Sequence, residues 1–320
     1  DTPVSYDLGG LEPNTTYYYR VFAQNSAGST YGGNQTFTTD AVLPDATTNA
    51  ATGVSAFGAS LNGSVTANNS TTTVTFEYGL TTGYGTTLSA TPTLANGMSP
   101  TPVNYVLSDL VPNKTYHFRV VAVNTAGTTL GLDQTFTTDP AAPAATTDAA
   151  GGVSSSGATL NGTVNANNSE TTVTFEFGVD DGYGSVITAE QSPLNGSAGV
   201  AVSATLTGLT PNTTYHFRVV AQNSAGMTYG SDLTFTAKAS APTATTGAAT
   251  DVTSSGATLN GTVNANNAST SVSFEYGLTD TYGFSANADQ SPVSGLSDTP
   301  VSSSKLVLTS TMRLSLTMIR

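Results

Sequence analysis

The chain has 320 residues, of which only 9% are charged, and 21 acidic against 8 basic residues leave a net charge of −13. Lys and Arg form no cluster, so a nucleic-acid backbone or an anionic membrane surface would repel this chain, and the acidic surplus serves solubility. There is no cysteine, which excludes disulfides and thiolate metal sites.

The charged fraction lies far below the usual ~25%. Thr, Ser, Asn and Gly supply the missing polarity, a composition suited to β structure with many turns. No run of about 18 apolar residues is present, so no membrane insertion is expected. Asp1 opens in mid-pattern without a charged leader. Together these features fit an exported bacterial protein better than a cytosolic enzyme.

Read in chain order, residues 1–40 offer three strands, "TPVSYDL", "TYYYRVFAQN" and "NQTFTT". A Pro/Ala/Thr-rich stretch follows, "TTDAVLPDATT", and its counterparts "TTDPAAPAATT" and "TAKASAPTATT" recur further on. Proline stiffens such linkers, so they should act as short spacers. They divide the chain into the last part of a unit at 1–40, complete units at 41–139 and 140–238, and the first part of another at 239–320, with a divergent tail from about 303.

The units repeat in phase. "LNG" opens at Leu61, Leu160 and Leu259, and "FE[YF]G" at Phe76, Phe175 and Phe274, always 99 residues apart. That period exceeds the 20–50 residues of a solenoid repeat and matches one autonomous domain. Inside a unit the hydrophobic period is two. "GATLNGTVNA" puts Ala158, Leu160, Gly162 and Val164 on one side, and "TVTFEFG" puts Val173, Phe175 and Phe177 on one face. "TYHFRVVAQN" points Tyr215, Phe217, Val219 and Ala221 inward, with His216, Arg218 and Gln222 outward. Turn signals separate the runs: "NANNS", "DDGYG", "LTPNT" and "NSAG". About seven short strands per unit with one-sided burial indicate an all-β fold, a tandem of antiparallel two-sheet β-sandwiches. Beyond Val301 the wording of the repeat stops, although Leu306, Leu308, Met312, Leu314, Leu316 and Met318 keep an even spacing that suits two more strands.

The phrase running from Leu209 through Pro211, Thr213, Tyr215, Phe217, Arg218, Val219, Ala221 and Asn223 to Gly226 resembles the E–F corner and F strand of a fibronectin type III domain, in its Thr/Asn-rich bacterial form. The same match runs from Leu110 through Pro112 and Tyr116 to Gly127 and, loosened, from Leu11 through Tyr17 to Gly28. The resemblance covers roughly residues 1–302. It implies immunoglobulin-like sandwiches in which Tyr17, Tyr116 and Tyr215 form tyrosine corners, each hydroxyl bonding backbone near the preceding Leu-x-Pro turn. It also implies a core Trp on the second strand, yet the chain has no Trp; by register Gly63, Gly162 and Gly261 stand there. Either Tyr84, Tyr183 and Tyr282 of the "GYG" turns fill that volume, or the core is thinner than usual.

No catalytic set emerges. His117 and His216 fall on outward strand positions and read as surface residues, since a base needs an oriented partner and a nucleophile. Glu77 with Arg119 and Glu176 with Arg218 read as cross-strand ion pairs on a solvent face. "VDDGYG" at 179–184 lacks the ligand spacing of a calcium loop. No Gly-rich phosphate loop is present, so no cofactor is expected. Sequons include Asn113, Asn161, Asn212 and Asn260. The Arg-Gly-Asp triplet that some fibronectin-type domains use is missing, and the loop tips read "NTAG" and "NSAG".

The expected role is a non-catalytic spacer or stalk in a larger surface or secreted protein. Three to four units in line would reach on the order of 100–130 Å, from strands of about 30 Å each. The alternatives are an adhesive array whose loop tips bind surface glycan or protein, accessory modules of a secreted polysaccharide-degrading enzyme, and a subunit that associates head to tail.

Overall fold

Alternating apolar residues, broken every eight to twelve positions by turns rich in Asn and Gly, leave strand pairing as the way to satisfy the backbone. A computed structural model describes residues 2–304, and every regular element among them is a strand. The chain divides into two compact units, Asp1–Ala142 with Asn167–Ser169, and Pro143–Ala166 with the residues from Glu170 onward.

The first unit opens with β1 (Thr16–Tyr19), β2 (Phe22–Asn25), β3 (Gly28–Tyr31) and β4 (Gln35–Thr38), paired β1 with β4 and β2 with β3. Two expectations are corrected here. "TPVSYDL" is not a strand, and "TYYYRVFAQN" is interrupted at Arg20 and Val21. The reason lies in the ladder. In the sandwich that follows, the equivalent segment Thr101–Leu107 pairs along its length with Ala59–Thr66; no such strand lies beside residues 2–8 among the described residues.

That sandwich is built of β5 (Asp45–Thr52), β6 (Ala59–Thr66), β7 (Thr72–Gly79), β8 (Thr86–Ala95), β9 (Thr101–Leu107), β10 (Thr115–Asn124), β11 (Gly127–Leu130) and β12 (Gln134–Thr137). One sheet runs β5-β6-β9. The other runs β8-β7-β10, with β11 and β12 both paired to β10. A single bridge from Thr91 to Asn104 joins β8 to β9.

The second unit repeats the plan with β13 (Ala144–Gly151), β14 (Gly157–Asn165), β15 (Thr172–Gly178), β16 (Ser185–Thr188), β17 (Gly199–Thr207), β18 (Thr214–Asn223), β19 (Gly226–Tyr229) and β20 (Leu233–Thr236). Its sheets are β13-β14-β17 and β16-β15-β18-β19, with β20 on β18. Each sandwich thus holds eight strands where about seven were expected, because the last strand is split. The split falls at Gly131 and Gly230, whose missing side chains leave room for the hydroxyls of Thr48 and Thr147; an added Cβ would come within 2.3 and 2.2 Å of them. Those hydroxyls enter the opposite sheet and accept from the backbone N–H of Val120 and Val219.

After this sandwich come β21 (Thr243–Thr246), β22 (Leu259–Asn264), β23 (Ser273–Gly277), β24 (Gly283–Asn287) and β25 (Thr299–Ser303), arranged as β21-β22-β25 and β23-β24. The two strands expected over 306–318 lie outside the described residues.

The cores are equivalent. Leu61, Val65, Val74, Phe76, Phe118 and Val120 are fully buried in one sandwich, and Leu160, Val164, Val173, Phe175, Phe217 and Val219 in the other. Each such side chain stabilises the fold by about 1.5–3 kcal/mol through apolar burial. The tyrosines of the "GYG" turns are not among them, which corrects the expectation for the missing Trp. Space beside Gly63 is taken by Val120, whose Cγ2 would lie 2.4 Å from an added Cβ. Val219 does the same beside Gly162, at 3.2 Å. A valine on the facing sheet therefore fills the position, and the core needs no large aromatic there.

Candidate functional site

The corner comes first because it fixes how β10 and β18 enter the sheet. Tyr116 and Tyr215 are buried rings stacked on Phe136 and Phe235. Each hydroxyl accepts from a backbone N–H five residues earlier, that of Val111 at 3.0 Å and that of Thr210 at 2.9 Å. Buried Leu110 and Leu209 directly precede those donors, and Pro112 and Pro211 follow them. Tyr17 makes the same bond with Glu12, also at 2.9 Å, in a more exposed setting.

On the outward side of β10, Arg119 lies opposite Glu77 of β7 in register, and its Nε donates to the carboxylate at 2.8 Å. In the next sandwich Arg218 of β18 faces Glu176 of β15, with the same bond at 2.7 Å. These side chains are about one-quarter to one-third exposed, so water screens the pair only partly.

Sequence reasoning missed what surrounds the pair. Tyr84 and Tyr183 adopt left-handed backbone (φ 52° and 60°) in the turn after β7 and β15. The turn packs tightly on the strand end. An added Cβ at Gly79 or Gly178 would lie 1.6 Å from the tyrosine carbonyl oxygen, which explains the glycine of "FE[YF]G". The rings are thereby carried outward over Arg119 and Arg218, 4.7 Å from each guanidinium. Tyr229 covers the Arg218 guanidinium as well, at 4.2 Å. Each hydroxyl donates to an aspartate, Asp133 or Asp232, at 3.0 Å. The second oxygen of that aspartate meets His117 or His216 Nδ1 at 2.8 Å.

The histidines are therefore half-buried and paired rather than free surface residues. Burial is the main reason the phenols of Tyr84 and Tyr183 hold their protons more tightly than usual; the bond to Asp133 or Asp232 and the negative charge of that aspartate add to it. The result is one five-residue network per sandwich: Glu77, Arg119, Tyr84, Asp133 and His117, and 99 residues on, Glu176, Arg218, Tyr183, Asp232 and His216. Each imidazole is bonded to its aspartate, and the side chains of the network pair with one another.

Asp180 of the "DDGYG" loop turns its oxygen back onto the Gly182 N–H at 3.0 Å. Among the described residues no group of three or more His, Asp and Glu is placed to hold a metal ion, and no helix is long and apolar enough to cross a membrane. The sequon amides of Asn161 and Asn260 donate to the carbonyls of Ala149 and Ala248.

Two antiparallel sheets with a tyrosine corner at the crossover, repeated at a fixed period, define an array of immunoglobulin-like sandwiches. Residues 155–236 match the family profile of the fibronectin type III domain, and the same sandwich plan is repeated over residues 45–137. Among solved structures, the chain is similar to the chicken CNTN1 FN1–FN3 domains, at 17% identity over 80% of this chain and 87% of that one, with a TM-score of 0.33. It is also similar to the sensor domain of the anti-sigma factor RsgI4 from Pseudobacteroides cellulosolvens. The short form of that domain shares 22% identity over 30% of this chain and 94% of that one, with a TM-score of 0.25. The long form shares 22% over 35% and 99%, with a TM-score of 0.22. No curated protein matches the chain.

Proposed function

We propose that the chain is a non-catalytic spacer segment of a larger secreted or cell-surface protein of bacterial type. The observation that carries this reading is the outer-face network, in which the side chains best able to do chemistry bond to one another in the same way in both sandwiches. Groups tied up in this manner stiffen a sheet face and hold its register. Equal modules at an unvarying period are what a spacer needs, because length then grows by whole domains. Small-angle scattering of the 320-residue chain tests the reading. An elongated particle agrees with it, and a compact globule contradicts it.

One observation favours a second reading, head-to-tail self-association. Tyr18, Tyr19, Val21, Phe22 and Tyr31 of β1–β4 and their connections are exposed, and the apolar groove there is lined by Val4, Tyr6, Leu8, Leu11 and Tyr19. The occupant this reading requires is the β21–β25 segment of a second copy, whose strands correspond by repeat to those that cover Tyr116 and Phe118. Light scattering during size-exclusion chromatography decides. Mass rising with concentration supports it, and a monomer at every concentration refutes it.

A further inference from the structure

We infer that the Pro-Asn-Thr turn at residues 13–15, and again at 211–213, is a docking surface, and that its partner is the paired-asparagine turn of the repeat that follows it. The two turns meet by exchanging amides. In the first unit Asn14 Nδ2 donates to the backbone oxygen of Asn69 at 2.6 Å. Asn69 Nδ2 reaches back to Thr15 Oγ1 at 3.3 Å and to the Pro13 carbonyl at 3.4 Å. In the second unit Asn212 Nδ2 donates to the Asn267 oxygen at 2.7 Å. Asn267 Nδ2 returns to Thr213 Oγ1 at 3.0 Å and to the Pro211 carbonyl at 3.1 Å. In both cases the exchange of the turn asparagines spans 55 residues.

Backbone conformation explains the residue type. Asn68, Asn69, Asn266 and Asn267 are all left-handed, with φ between 50° and 63°. Asparagine tolerates that region better than any other residue with a side chain apart from aspartate. Aspartate would set an acceptor against the acceptor carbonyls of Pro13 and Pro211. Only Asn therefore shapes the turn and also donates across the joint.

The first asparagine of each pair fastens the linker itself. Asn68 Nδ2 donates to the Leu43 carbonyl at 2.8 Å, and Asn266 Nδ2 to that of Ala241. The start of the linker is held from the other side, by the backbone N–H of Asn14 on the Asp40 oxygen and of Asn212 on the Lys238 oxygen. Linker and turns are thus bonded at three places in each joint. A Pro/Ala/Thr linker holds the spacing of neighbouring domains but not their angle; at these two joints the clasped turns fix that angle as well.

Because the chain lacks cysteine, spin labels are introduced cleanly. Labels at Ser231→Cys and Ser285→Cys, both exposed residues of the second unit, report on its joint by pulsed electron resonance. The expected result is a narrow distance distribution in the otherwise unchanged chain, at least two-fold broader in Asn267→Gly, a change that keeps the left-handed turn and removes only the amide. Asn212→Gly carries the same expectation from the opposite side of the joint, so the test stands even if one variant misfolds. A broad distribution before any joint substitution overturns the inference, as does an unchanged width in the folded variants.

Discussion

Tyr183 donates its hydroxyl to Asp232, 49 residues further along the chain, at 3.0 Å, and Tyr84 does the same to Asp133. The bond ties the turn after one strand to the split between the last two. It also places the tyrosine ring as a roof on the arginine beneath, so that the guanidinium sits between a carboxylate and an aromatic face.

Both phenols ionise above their usual value of 10.0, with burial the main cause and the bond to aspartate second. A proton held more tightly in the folded than in the unfolded chain contributes stability that is fully present below the unfolded pKa. That contribution is lost as pH rises through the folded pKa. Stability should therefore decline once pH passes about 10, the ordinary pKa of tyrosine. Urea midpoints measured from pH 8 to 11 check this. The decline should be shallower in Tyr84→Phe/Tyr183→Phe, and an identical slope would show that these phenols do not couple to folding.

Removing the corner hydroxyl strands a backbone donor. Tyr215→Phe leaves the Thr210 N–H without its partner in a part-buried place, at a cost of about 1 kcal/mol or more. Tyr17→Phe should cost less, because its bond to Glu12 is exposed and water replaces it. Denaturant unfolding of the two variants gives the comparison; equal losses would count against a specific role for the buried corner.

Strand pattern and corner were legible in the sequence because each rests on local spacing. Alternation puts Leu160 and Val164 inward whatever lies opposite, and a tyrosine five residues after its donor needs no long-range information. Register also gave the Glu176–Arg218 opposition. The tyrosine network was not legible. Its bonds join residues 49 apart, and its geometry depends on a left-handed turn that throws Tyr84 outward, whereas volume alone suggested that this ring fills the core. The void beside Gly63 is instead closed by Val120 from the facing sheet, a contact that period-two reading does not carry. The asparagine clasp was hidden for a similar reason. Asn-rich turns read as turns, and nothing local says which carbonyl an amide will find.

Gly63 and Gly162 should resist the smallest enlargement. An alanine at 63 would press on Val120 and on the Thr47 carbonyl, 2.8 Å from the new carbon, and backbone oxygen moves little. Gly63→Ala is expected to destabilise its sandwich by roughly 1–3 kcal/mol, the usual range for overpacking. Gly162→Ala should be milder, since its nearest neighbours stand at 3.0 and 3.2 Å. Thermal unfolding of each variant ranks them, and a stabilised Gly63→Ala would mean that an unfilled space lies there.

For the cross-strand pairs, partial exposure limits the gain to about 0.2–1 kcal/mol each. A double-mutant cycle on Glu176→Gln and Arg218→Gln should return a coupling in that range, shrinking with added salt. Zero coupling at low salt would show that the observed contact does not stabilise the fold.

Single-molecule stretching of the whole chain tests most directly whether it is an array of equal, independently folded sandwiches. Each complete sandwich, opening on its own, should release about 300 Å of chain, from roughly 99 residues at 3.3–3.6 Å each less the folded span. Two equal steps of that size are the expected result. Extension without steps, or one step of about twice that length, would contradict it.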